Sequence, residues 1–144
     1  MKNPAEQGGI GQYQAVGTQT GVTEASPHRL IQMLLDGALD KIARAKGAMQ
    51  RNQIEDKGRN ITSAGSIVLG LRSSLDMDAG GELAANLDSL YDYMFRRLMD
   101  AHLNNELAAL DEVASLLREI KQGWDAIPQE AIGGGEMVKS MAGA

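Results

Sequence analysis

The residues most able to do chemistry in this chain are its two histidines, His28 and His102, and each suggests a different reaction. A di-metal carboxylate bundle sets inward glutamates beside two Glu-x-x-His pairs. Position 25 is Ala and position 99 is Met, so neither histidine completes such a pair. The apolar seams read below carry no acid, and no metal or other cofactor is expected. The other chemistry is phosphotransfer, which needs an exposed histidine on a helix with a cation nearby. His102 is the candidate for that alternative function. Arg96 and Arg97 lie more than a turn before it, however, and Glu106, one turn on, would repel a phosphoryl group. A boundary histidine is the plainer account of His102, and a first-turn residue that of His28.

Other reaction types find no residues. Cysteine is absent, which excludes disulfides and thiolate metal sites. There is no Gly-x-Ser-x-Gly nucleophile turn and no glycine-rich loop joining a strand to a helix. No catalytic residue is assigned, and the chain is read as a non-enzyme. The net charge of -5 argues against nucleic acid, whose binders cluster Lys and Arg against phosphates. No apolar run reaches membrane-spanning length and the N-terminus lacks a signal-like apolar core, so no membrane insertion and a cytosolic location are expected. Lys41, Arg44, Lys46, Arg51, Lys57 and Arg59 make one region locally basic; interspersed acids suggest a solvated helix face.

The elements that must position these residues are helices. The 144 residues contain 3% aromatics, so the core has to be Leu, Ile, Ala and Met. Ser26 followed by Pro27 predicts an N-cap and a helix start. Ile31, Leu35, Ala38, Ile42, Ala45 and Met49 then form a seam. After a connection at Asn52 to Asp56, a second helix runs to Leu75, with Ile61, Ala64, Val68, Leu71 and Leu75 as its seam. Asp76 to Gly81 reads as a loop, because two adjacent glycines suit no helix interior. A third helix from Glu82 carries Leu83, Leu87, Leu90, Met94, Leu98 and Ala101; Asn104 and Asn105 suggest its break. The fourth carries Leu110, Val113, Leu117, Ile120 and Trp124.

Four amphipathic segments joined by short loops predict an all-α, antiparallel up-down-up-down four-helix bundle over residues 25–127. Residues 1–24 hold too few apolar side chains to fold alone and read as a flexible arm, with a short docking segment around Tyr13 and Val16. Residues 128–144, with three consecutive glycines, read as a disordered tail. Helices one and three hold more large apolar residues than a seam needs. Ordinary core packing accounts for many; the sharper expectation is a groove for a partner helix.

Tyr13, then ASPHRLIQMLLDGAL at 25–39, SIVLGLRSSLDMDAGGELAANLDSLYDYMFRRL at 66–98, a short asparagine-containing stretch at 104–105 and LDEVASLLREIKQGWDAI at 110–127 follow one another in an order that resembles the flagellar secretion chaperone family FliS. Leu35 departs from a position where the family often has an aromatic. The resemblance implies a cytosolic chaperone that binds the disordered C-terminal segment of flagellin, prevents premature polymerisation and assists delivery to the flagellar type III export apparatus. It implies the export-gate protein FlhA as a second partner, and a homodimer is left open. Carried onto this chain, the flagellin-binding candidates are Leu30, Met33, Leu34, Ile67, Leu71, Leu87, Tyr91 and Met94. Tyr13 and Val16 are candidates for docking the arm on the bundle.

Overall fold

The computed structural model describes residues 25–127, which form four helices: α1 Pro27–Gln50, α2 Ile54–Ser73, α3 Met77–Asn104 and α4 Leu107–Asp125. Each helix packs on its sequence neighbour, and α1 closes the ring against α4. Connections of two or three residues force the antiparallel up-down-up-down order. The expected arm at 1–24, with Tyr13 and Val16, and the expected tail at 128–144 lie outside the described residues.

Helix starts follow their capping chemistry. Ser26 accepts a hydrogen bond from the Arg29 amide at 3.1 Å, and Pro27 occupies the first helical position. Asp76 caps the Ala79 amide at 3.0 Å and so nucleates a helical turn where the glycines predicted a loop. The glycine effect is confined to Gly81, whose φ of 56° and ψ of -134° break the helix. Helix α3 is therefore a short first turn, a break, and a long segment from Glu82. Helix α2 begins at Ile54, earlier than Asp56. Two asparagines, Asn52 and Asn105, take the left-handed conformation at the α1–α2 and α3–α4 turns.

The core agrees with the expected seams on α2 and α4, where Ile61, Ala64, Val68, Leu71, Leu110, Val113, Leu117, Ile120 and Trp124 are buried, except that α2 ends at Ser73 and leaves Leu75 half-buried in the following turn. On α3 the seam is displaced. Ala84, Leu87, Tyr91, Met94, Leu98 and Ala101 are buried, while Leu83 and Leu90 are half-buried. On α1, Leu34 and Ala48 take the inner places, leaving Ile31 and Met49 half-buried. Lys57 corrects the picture of a solvated basic face: it is 5% exposed.

Candidate client-binding surfaces

The eight flagellin-binding candidates divide by depth. Leu34, Ile67, Leu71, Leu87, Tyr91 and Met94 are buried in the common core, where burial pushes the Tyr91 phenol pKa upward. Leu30 and Met33 are half-buried on the first turns of α1 and reach the surface.

A second apolar strip follows from glycine spacing on α2. Gly58 and Gly65, seven apart, both face α3. A Cβ on Gly65 would stand 3.1 Å from Phe95 Cε1 and 3.8 Å from Met99 Cε, so the missing side chain is what seats that ring. Leu69, one turn beyond Gly65, is 42% exposed. Leu69, Phe95 and Met99 thus leave apolar area along the α2–α3 seam. Phe95 and Met99 belong to the excess of large apolar residues expected on the third helix, and the paired glycines at heptad spacing are the signal that would have placed them.

Charged pairs tie α3 to both its neighbours. Seven residues beyond Gly65, Arg72 makes a two-pronged contact with Asp88, at 2.6 and 3.2 Å, and reaches Asp92 at 3.3 Å. The hydrogen bond from Arg72 holds the Asp88 carboxyl below its usual range. Further along, Glu112 on α4 accepts from Tyr93 at 2.6 Å and from Arg97 at 2.8 Å, and both bonds lower its pKa. These pairs are partly exposed, so their weight is in register and orientation more than in stability.

His102 lies against Gly58, where a Cβ would meet its Cε1 at 3.0 Å. Its Nδ1 is buried without a hydrogen-bond partner, which puts that nitrogen out of reach of a phosphodonor. His28 is also inside: its ring stacks on Trp124, and Nε2 donates to the Trp124 carbonyl at 2.9 Å. The described residues hold no group of three or more potential metal ligands. None of their helices is long and apolar enough to cross a membrane.

Fold and surface together define a four-helix bundle that leaves apolar side chains partly exposed along the α2–α3 seam and on the first turns of α1. Residues 9–131 match the family described as flagellar protein FliS, and the chain belongs to that family. It is 53% identical to the flagellar secretion chaperone FliSB of Pseudomonas aeruginosa, over 81% of this chain and 92% of that one. It is 41% identical to flagellar secretion chaperone FliS of Vibrio cholerae, over 85% and 90% of the two chains. The corresponding protein of Salmonella typhimurium is 42% identical over 85% and 92%.

Proposed function

We propose that this protein is a flagellar secretion chaperone that binds the C-terminal segment of flagellin in the cytosol, without catalysing a reaction. Membership of the FliS family over residues 9–131 carries the reading. The receiving surface is the half-buried α1 pair Leu30 and Met33 together with the α2–α3 strip of Leu69, Phe95 and Met99. Leu34, Ile67, Leu71, Leu87, Tyr91 and Met94 lie behind it and hold its shape from within the core.

The physical logic is that of a segment disordered when free and helical when bound. Such a segment loses entropy on ordering, which keeps net affinity moderate and allows release. Covering its apolar stripe prevents association between client copies. Delivery to the type III export apparatus, with the export-gate protein FlhA as second partner, belongs to this proposal. So does docking of Tyr13 and Val16 on the bundle in the absence of client.

The test is calorimetric titration of intact monomeric flagellin, and of a peptide from its C-terminal helical region, into the full chain. Saturable binding of one client per chaperone with a negative heat-capacity change is expected. Absence of binding to both would overturn the assignment.

A further inference from the structure

A cleft of about 360 Å³ opens at the end of the bundle where the α1–α2 and α3–α4 turns meet. Met49, Ile54 and Leu107 supply its apolar wall, with Lys57 and Asn105 alongside. Two large apolar residues stand at this end almost free of contact: Ile54 is 73% exposed and Leu103 76%. They are the most exposed large apolar side chains among the described residues.

Lys57 sets the electrostatics of the cleft. A lysine this deeply buried ordinarily faces a carboxylate. Here the ammonium donates only to neutral oxygens, the His102 carbonyl at 3.0 Å and the Asn105 side-chain oxygen at 2.6 Å. An ammonium has three N–H donors, so one is left over, and among the described residues no acid pairs with it. The nearby acids do not pair with it: Asp56 bonds Arg59 at 2.6 Å, Glu106 lies 3.8 Å from Arg97, and Glu55, which is exposed, lines with Asp56 a shallower depression next to the cleft. Neither Gln53 nor Glu106 caps the first-turn amides of α2 or α4 with its side chain. Among the described residues, none that lines the cleft carries a negative charge, and its apolar wall is left open.

We propose that this end of the bundle is a second docking surface, which takes a protein segment presenting an aliphatic or aromatic side chain next to a carboxylate. The apolar side chain enters the cleft beside Met49 and Leu107, and the carboxylate accepts the remaining Lys57 proton. Ile54 carries the apolar wall out into solvent and Leu103 adds exposed apolar area at the same end of the bundle, which suits a polypeptide better than a small acid. The cleft is distinct from the proposed client surface: Leu30 and Met33 lie at the opposite end of α1 and Leu69 toward the opposite end of α2, while Met99, one turn of α3 before Leu103, is where the two surfaces come nearest. It does not depend on flagellin being the client.

The probe is a short synthetic helix carrying leucines four residues apart with a glutamate between them, compared with the same peptide bearing glutamine. Amide chemical shifts of the full chain are followed during titration. The glutamate peptide is expected to move Ile54, Asn105 and Leu107, and the glutamine peptide to bind about tenfold more weakly, as loss of a charge-assisted hydrogen bond requires. Lys57→Met should abolish the difference between the peptides. Should that variant fold poorly, Ile54→Ser, at a position already in solvent, must weaken both peptides. Equal binding of the two peptides to the native chain, shifts elsewhere only, or unchanged affinity in Ile54→Ser would overturn the proposal. So would octanoate moving these amides where the peptide does not, which would assign the cleft to a small acid.

Discussion

His28 and Trp124, 96 residues apart in sequence, hold each other by two hydrogen bonds in opposite directions. His28 Nε2 donates to the Trp124 carbonyl at 2.9 Å, and Trp124 Nε1 donates to the His28 carbonyl at 3.0 Å. The rings stack with centroids 5.4 Å apart and planes 13° from parallel. Each side chain thereby satisfies a backbone carbonyl of the other's helix, tying the first turn of α1 to the last turn of α4.

Trp124→Phe keeps much of the stacking but removes the indole donor to the His28 carbonyl, which retains its helical partner. The lost bond should cost about 0.5–1.5 kcal/mol. A double-mutant cycle with His28→Ala, read by urea denaturation, should give a coupling of at least about 0.5 kcal/mol. Strictly additive losses would mean that the pair does not act as a unit.

Gly81 has no neighbouring atom within 4 Å of an added Cβ, so space does not decide its substitution. Its φ of 56° with ψ of -134° does, because this region is open essentially to glycine alone. Gly81→Ala should destabilise the bundle by about 1–3 kcal/mol, lowering the melting temperature. A neutral effect would show that the break re-forms elsewhere between Met77 and Glu82.

Acid should weaken the fold through three carboxylates. Asp88, Glu112 and Asp125 all have pKa values lowered from ordinary values of 3.8, 4.5 and 3.8, by hydrogen bonds from Arg72, from Tyr93 and Arg97, and from Lys121 respectively. A group with a depressed folded pKa contributes stability above its unfolded pKa and loses it as pH falls through the folded value. Stability from these groups is therefore complete at pH 5 and declines below about 4.5. The urea midpoint should drop between pH 5 and pH 3, and Asp88→Asn should reduce the drop. An unchanged midpoint would mean that these contacts do not persist in solution.

Surface and core positions should separate cleanly in client binding. Met33→Glu and Leu69→Glu alter side chains that reach solvent, so the melting temperature should change little. Flagellin affinity should fall about tenfold or more in each, since a carboxylate must then be desolvated. Leu71→Ala, in the core, should instead cost about 2–5 kcal/mol of stability. Unaltered affinity in both glutamate variants would remove α1 and the α2–α3 strip from the client surface.

How much the sequence disclosed depended on whether the deciding contact was local. Ser26 and Pro27 mark the start of α1 because a cap and a proline act within one turn. The α4 seam was legible because polar residues separate Leu110, Val113, Leu117, Ile120 and Trp124 from alternative apolar positions on most sides. Helix α3 was harder. Leu90 and Tyr91 are adjacent, and periodicity alone cannot tell which of two neighbouring apolar residues turns inward; packing chose Tyr91. Lys57 was read as solvated because its acceptors, at 102 and 105, come from another helix end. His28 likewise has its partner at the far end of the chain. Of the binding candidates carried over from the family resemblance, Leu30 and Met33 reach solvent, while the others form the core that any bundle requires.

The turns also set how the bundle can deform. At one end, Asn52 and Asn105 close the α1–α2 and α3–α4 connections in two or three residues, leaving no slack for one helix to slide along the other by a turn. At the other end the α2–α3 connection is followed by Gly81, where the helical hydrogen-bond ladder is interrupted. Mechanically the bundle is thus two stiff hairpins, α1–α2 and α3–α4, with its compliance concentrated at one glycine. Any separation of α2 from α3 would be expected to turn about Gly81, with the asparagine turns keeping each hairpin in register.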